Sequence, residues 1–274
     1  MAPDFVKRFV DVDDKVFLVT GGAAGVGAGL VKALLFENAR HVAFLDVADR
    51  EGAALEAQLI IKFGALRVKF IKCDVGDERQ LASAYKQVLD KYKRLDGVIN
   101  SAAVLSIDDN SFNRMIDINF TGTVNSTLKA LDIMGADKGG SGGVIVNISS
   151  LLALNLTSHL PVYAATKAAV LQFSIRMGTQ EQFTRTKVRV LSVCLGPTDT
   201  AILYKNNLTK FDAEYAPCLS SRAPVRQRVE SAVKGILEVI NKASTGDTWI
   251  VESDKPAYDF TQNISEAFQI LSKT

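Results

Sequence analysis

Short apolar runs and longer stretches of helical spacing alternate along this chain from one end to the other. The apolar runs fall at 15–20, 41–46, 67–72, 96–100, 143–149, 187–193 and 247–252. Helical patterns lie between them at about 25–37, 48–63, 77–92, 109–134, 158–184 and 226–242. The runs are continuous rather than alternating, as in Val144-Ile145-Val146-Asn147-Ile148. A strand apolar on both sides is buried on both faces, so the pattern predicts a parallel sheet with helices above and below. Seven strands joined by right-handed crossovers make a single doubly wound α/β domain over residues 1–274. Gly64 stands where the second helix should stop. The glycine-rich stretch 136–143 falls between a helix and a strand of the same sheet, which makes it a surface loop. The least regular region, 198–225, carries Pro217 and Pro224 and follows the sixth strand. A long irregular stretch there is expected to cover a site, as a lid or substrate loop does.

The first strand runs directly into T-G-G-A-A-G-V-G, Thr20 to Gly27. A strand that ends in a glycine turn and feeds a helix is the Rossmann arrangement for a dinucleotide. Gly21, Gly25 and Gly27 leave out side chains where the cofactor must come close. The unpaired N–H groups of the first helical turn, at Gly25, Val26 and Gly27, face the pyrophosphate. Asp46 ends the second strand 19 residues after Gly27, where a carboxylate can bond the adenosine ribose hydroxyls. Asp74, followed by Val75, closes the third strand at the edge where adenine can lie. Either aspartate has a plainer reading, Asp46 as a helix cap and Asp74 as the cap of a turn.

Composition adds mainly exclusions. The chain has 274 residues, 47% hydrophobic and 23% charged, with a formal net charge of +2. That balance gives no reason to expect nucleic acid or an anionic membrane as partner. Cys73, Cys194 and Cys218 are odd in number and far apart, forming neither a disulfide framework nor a metal-spaced cluster. No apolar stretch approaches the roughly 18 residues of a spanning helix, and the N-terminus lacks a signal-peptide core. The triplets Asn119-Phe-Thr and Asn147-Ile-Ser are then coincidences, and a cytoplasmic location is expected.

Tyr163 and Lys167, spaced by four, share one helical face. Ser150 ends the fifth strand 13 residues earlier, at the same carboxyl edge of the sheet as the glycine turn. Such a cluster beside a nicotinamide has an evident use, because moving hydride to or from a carbinol carbon requires moving a proton at its oxygen. A phenol with a pKa near 10 is a poor base at pH 7. A nearby ammonium stabilises the phenolate, and about three units of lowering requires roughly 4 kcal/mol. The serine hydroxyl can hold the substrate oxygen in line.

These residues resemble the short-chain dehydrogenase/reductase family over nearly the whole chain. Thr20–Gly27 matches its T-G-x-x-x-G-x-G turn, Tyr163 and Lys167 its Y-x-x-x-K, and Ser150 its serine position. Asn119, in I-D-I-N-F-T-G, fits the asparagine of the fourth helix. The resemblance implies that Asn119 bends its helix and holds a water linking the lysine to solvent. It also implies that Lys167 bonds the nicotinamide ribose and that Asn100 and Ala102 lie beside the cofactor. Gly196, Thr198 and Thr200 would cover the nicotinamide.

Departures from the family pattern leave the catalytic groups untouched. N-N-A-G reads Asn100-Ser101-Ala102-Ala103, and Leu195 replaces the first proline of P-G-x-x-x-T. The ending Asp247-Thr248-Trp249-Ile250-Val251-Glu252 looks like the branch holding insect alcohol dehydrogenases and 15-hydroxyprostaglandin dehydrogenases. The prostaglandin enzymes carry glutamine three residues before the tyrosine, where this chain has Leu160, which argues against prostaglandin.

The expectation is an NAD-dependent oxidoreductase of a secondary alcohol or its ketone, with no metal. The substrate would touch Ser150, Leu152, Leu160 and Tyr163, in a neutral apolar pocket. His159 either lines that pocket or is structural. An NADPH-preferring carbonyl reductase is opposed by Asp46 and by Ala24 before Gly25. A non-catalytic dinucleotide-binding scaffold is opposed by the complete tetrad. A second apolar face on helix 158–184 suggests a homodimer or homotetramer.

Overall fold

Val16–Thr20 (β1), V-F-L-V-T, is buried along its whole length. Its side chains part to opposite sides, Phe17 and Val19 into one core and Val16 and Leu18 into another. The computed structural model describes residues 12–105, 112–155, 160–203 and 226–273. β1 pairs in parallel with His41–Asp46 (β2) and Gly97–Asn100 (β4). The sheet continues through Val68–Lys72 (β3), Gly143–Ser150 (β5), Val188–Leu195 (β6) and Thr248–Val251 (β7) in the order β3-β2-β1-β4-β5-β6-β7-β8. The strand order reverses between β1 and β4, and the crevice at their carboxyl ends is where such sheets take ligands. Seven of the strands are the seven apolar runs. The eighth, Tyr258–Asp259 (β8), is two exposed residues antiparallel to β7, too short and polar to register as an apolar run.

Gly25–Phe36 (α1) and Asp49–Phe63 (α2) pack on the Phe17 side of the sheet. Glu78–Tyr92 (α3) lies on the Leu18 side. Gly64 ends α2 with φ +94°, its N–H donating to Ile60 O at 2.9 Å, as expected of a glycine stop.

Two predicted helices are subdivided. Within 109–134 the described part is Phe112–Ile116 (α4), a π-turn at Asp117–Gly122 and Thr123–Met134 (α5). The pattern 158–184 is two helices, Pro161–Met177 (α6) and Gln180–Thr186 (α7). Gly178 breaks it, because a Cβ there would stand 2.5 Å from the Gly246 backbone, and Thr179 caps a new start by accepting from Gln182 N. The last pattern is Val229–Lys242 (α8), packed beside α1. Thr261–Leu271 (α9) escapes a periodicity reading, since it buries only Ile264. Of the irregular 198–225, residues 204–225 lie outside the described residues, as do His159, Leu156 and Cys218. Among the described residues no helix is long and apolar enough to cross a membrane.

Candidate active site

β1 delivers the glycine turn to the carboxyl edge, and the turn is closed by contacts that leave no room for side chains. Thr20 Oγ1 accepts from both Ser101 N and Ala102 N at 3.1 Å, tying the ends of β1 and β4 together. Gly21 has φ +67°, and a Cβ on it would fall 2.8 Å from Ala102 Cα. A Cβ on Gly27 would fall 2.0 Å from Gly21 O, so α1 folds directly onto the turn. No side chain caps α1 and its first turn holds no acid, leaving the N–H groups of Gly25, Val26 and Gly27 to an outside acceptor. This cradle fits the pyrophosphate of a dinucleotide.

Asp46, at the tip of β2, accepts from Ala23 N and Ala48 N, both at 3.0 Å. It therefore pins the glycine turn and starts the bend into α2; the cap residue of α2 is Ala48, not Asp46. Asp74 accepts from Gly76 N at 2.9 Å and is ion-paired with Arg114 of α4. Val75 is buried, and its carbonyl would lie 2.9 Å from a Cβ on Gly122, so the π-turn rests on it.

The second half of the site is built by β5 and α6. Ser149 Oγ donates to Lys167 O at 2.8 Å, and Lys167 Nζ donates back to Ile148 O at 2.9 Å. These crossed bonds lock α6 onto the end of β5. Lys167 Nζ lies 5.7 Å from the centre of the Tyr163 ring, so the spacing of four brings the pair together as expected. Ser150 Oγ accepts from Leu152 N at 3.2 Å in the single turn Leu151–Ala153. Asn119 is buried within the π-turn. Its Oδ1 accepts from Val104 N at 2.8 Å, and its Nδ2 donates to Val104 O at 3.0 Å and to Thr166 Oγ1 at 3.2 Å. It thus reaches the neighbour of Lys167 rather than Lys167 itself.

Burial sets the titration of the pair. It pushes the Tyr163 phenol up to about 12 and pulls the Lys167 ammonium down to about 8. The expected pull of the lysine on the phenol is outweighed in the protein alone. Desolvation penalises both charged forms, and Nζ is already committed to the Ile148 carbonyl. The Cys194 thiol, opposite Ser149 in β6, is pushed up to about 12 by burial.

Asn100 donates to Asn147 Oδ1 at 2.8 Å and to Thr127 Oγ1 at 3.2 Å beneath the site, in a buried network joining β4, β5 and α5. Gly196 and Thr198 are buried at the end of β6, with Thr198 Oγ1 donating to Gly196 O at 2.9 Å. A Cβ on Gly25 would meet Thr200 Cγ2 at 3.1 Å, which puts the 196–200 segment over the glycine turn. Leu160 opens α6 with φ +53° and is buried. Leu151 and Leu154 turn to the core against Leu171 and Ile250, and Leu152 stands outside that cluster. Ser149, Thr166 and Gln227 carry positioning bonds that no motif announces. Ser149 was visible only as the twin of Ser150.

The chain matches the short chain dehydrogenase family over residues 15–210. It is 35% identical over 192 residues to 15-hydroxyprostaglandin dehydrogenase [NAD(+)] of Macaca fascicularis, covering 70% of this chain and 71% of that protein. It is 30% identical over 239 residues to alcohol dehydrogenase 2 of Ceratitis cosyra, covering 86% and 90%. A crystal structure of 3-ketoacyl-(acyl-carrier-protein) reductase from Brucella melitensis, complexed with NADH, superposes with a TM-score of 0.74 at 19% identity, covering 88% and 98%. A family match over residues 15–210 and relatives of 30% identity or more show that this chain belongs to the short chain dehydrogenase family.

Proposed function

We propose that this protein is an NAD-dependent oxidoreductase that interconverts a neutral, apolar secondary alcohol and its ketone. The observation that carries the reading is the crossed pair of bonds that fixes Lys167 beside Tyr163 at the end of β5, next to Ser150. Tyr163 moves the proton at the substrate oxygen, Ser150 holds that oxygen, and Lys167 stabilises the phenolate and bonds the cofactor ribose. Asn119 holds the path behind Lys167 through Thr166. When bound, the nicotinamide supplies the hydride acceptor and a positive ring. That charge favours the phenolate that burial alone disfavours.

Gly21, Gly25, Val26 and Gly27 would hold the pyrophosphate, Asp46 the adenosine ribose, and Asp74 and Val75 the adenine. Asn100 and Ala102 would support the middle of the cofactor, with Gly196, Thr198 and Thr200 over the nicotinamide. NAD is favoured over NADP because an extra phosphate at the ribose would meet the Asp46 carboxylate. Leu152 and Leu160 are proposed as the apolar contacts of the substrate. The protein is further proposed to work as a homodimer in the cytoplasm. An apolar groove of about 430 Å³ between α4 and α6, lined by Phe112, Ile116, Phe120, Val162 and Ala169, supports the first. The free, buried Cys73 and Cys194 support the second.

Absorbance at 340 nm with NAD, NADP and 2-alkanols of four to ten carbons tests the reading. The expected kcat/KM favours NAD by at least about tenfold, or 1.4 kcal/mol, and Asp46→Ala shrinks that ratio. Each added methylene is expected to raise kcat/KM nearly fourfold, from about 0.8 kcal/mol of burial, until the pocket is full. Equal use of both cofactors would remove the role given to Asp46. Better turnover of a charged hydroxy acid would overturn the apolar pocket.

A further inference from the structure

Gln227 belongs to no motif, yet the end of the sheet is fastened through it. It lies two residues before α8 and is fully buried. Its backbone makes a one-residue parallel bridge to Thr198. The Gln227 N–H donates to Pro197 O at 2.8 Å, and its carbonyl accepts from Asp199 N at 2.9 Å. The side chain grips the same segment. Nε2 donates to Val251 O at 2.9 Å and lies 3.1 Å from Thr198 Oγ1 and 3.4 Å from Gly196 O.

The orientation of this amide is fixed by its surroundings. Two of the three atoms around Nε2 are carbonyl oxygens, which only accept, and Thr198 Oγ1 gives its own proton to Gly196 O. The nitrogen must therefore face them. Oε1 is left buried with no partner among the described residues. An unpaired buried amide oxygen is costly, and an apolar side chain would avoid that cost. What an apolar side chain cannot do is hold acceptors from β7 and the 196–200 segment at one point.

That segment spans both halves of the site. Thr200 sits over Gly25, and a Cβ on Gly196 would come within 3.5 Å of Leu151 Cδ1, beside Ser150. Its height above the glycine turn is set at Thr198, where Gln227 binds it from both main chain and side chain.

We propose that Gln227 is a positioning residue for the cofactor: its clasp on Gly196–Thr198 fixes the 196–200 segment over the glycine turn. Through that segment it sets where the nicotinamide end of a bound dinucleotide rests relative to Tyr163. The proposal rests on the dinucleotide reading above. Gln227→Met keeps the length of the side chain and removes its donors, while Thr198→Val removes one acceptor. NADH binding is read by fluorescence titration, and amide hydrogen exchange reads the clasp directly.

Gln227→Met is expected to weaken NADH binding at least tenfold and to lower kcat, with KM for the alcohol moving less than threefold. Exchange at Asp199 should quicken at least tenfold while Val144–Ile148 in β5 stays unchanged. Thr198→Val should move the same readouts in the same direction by less. NADH binding within twofold of wild type, or exchange quickened equally in β5, overturns the proposal. The wild-type protein supplies a check that needs no variant to fold. Asp199 and Gln227 amides should be protected to within tenfold of those in β6 without NADH, and exchange at exposed-loop rates would refute the clasp. Failure of the wild type itself to bind NADH would sink the dinucleotide reading, and it shows before any substitution is made.

Discussion

Tyr85 on α3 and Tyr163 on α6 are phenols whose pKa is raised by burial, and their hydroxyls meet opposite surroundings. Tyr85 Oη lies 2.9 Å from Ser126 O and 2.8 Å from Ser126 Oγ. Ser126 gives its own proton to Asn100 Oδ1 at 2.6 Å, so the Tyr85 proton is the one shared between the two serine oxygens. The donors then run one way, from Asn100 to Asn147 at 2.8 Å, from Asn147 to Ser174 at 2.9 Å, and from Ser174 to Val170 O at 2.7 Å. Each proton on this path is spent on protein. Tyr163 Oη has no hydrogen bond from any described residue, and an ammonium lies beside its ring. Burial alone does not make a tyrosine reactive. The difference is an oxygen with no partner among the described residues, on a ring whose centre lies 5.7 Å from an ammonium, at the edge of the sheet rather than beneath it.

The largest expected effect separates the two hydroxyls. Tyr163→Phe should cut kcat by about 10²–10⁴-fold, the range for a positioned acid–base group, and leave NADH affinity within about threefold. Tyr85→Phe should do the reverse. It leaves the Ser126 carbonyl short of a donor and should cost about 1–3 kcal/mol of stability, with kcat within about threefold. Steady-state kinetics and urea denaturation of the two variants decide it. More than about a tenth of wild-type kcat in Tyr163→Phe would mean that another group moves the proton.

Lys167 makes the second contrast, because only the Tyr163 region contains a buried ammonium. Burial lowers its pKa from 10.5 to about 8. Between those pH values the unfolded chain holds a proton that the folded chain lacks, so wild-type stability rises with pH there. The slope is at most about 1.4 kcal/mol per pH unit for one group. Both tyrosines act in the opposite sense, since their raised pKa values make the folded state hold protons above pH 10 that the unfolded state loses. Lys167→Met should therefore be most favourable relative to wild type below pH 8 and lose that advantage by pH 10.5. Denaturation at pH 7, 8, 9 and 10 measures it. A difference that stays flat with pH would show that the ammonium is not desolvated.

The two regions also differ in how far the sequence reveals them. The glycines of the turn, the Tyr163–Lys167 pair and Ser150 stand at short spacings, and Asn119 stood out through the family resemblance, so the candidate site was legible as soon as the strands were placed. Most of the strands were legible as continuous apolar runs, and β3, Val68-Lys69-Phe70-Ile71-Lys72, was legible from its apolar positions despite two exposed lysines. The Tyr85 network was not, since its members come from α3, α5, α6, β4 and β5 and meet only in the folded chain. Gln227 was hidden for the same reason: its partners lie about 30 residues before it and 24 after it. The break at Gly178 depends on a close approach to Gly246, which no local pattern contains. Asn119 was recognised, but its bonds to Val104 and Thr166 were not, because the π-turn settles which way the side chain reaches.

The smallest expected effect tests whether the Tyr85 network stays structural to its far end. Ser174 lies on the same helix as Tyr163, three turns further along, and accepts the last side-chain donor of the path. Ser174→Ala leaves Asn147 Nδ2 buried without that acceptor and removes a bond to Val170 O. About 1–2 kcal/mol of stability should be lost, the cost of one unpaired buried amide donor. Turnover should stay within twofold, because α6 is independently locked at its other end by the crossed bonds of Ser149, Lys167 and Ile148. Those bonds, rather than the network, hold the Tyr163–Lys167 face against β5. A tenfold fall in kcat with unchanged stability would contradict this. It would mean that the path from Tyr85 controls the helix register at Tyr163, and that the spent hydroxyl and the free one belong to a single device.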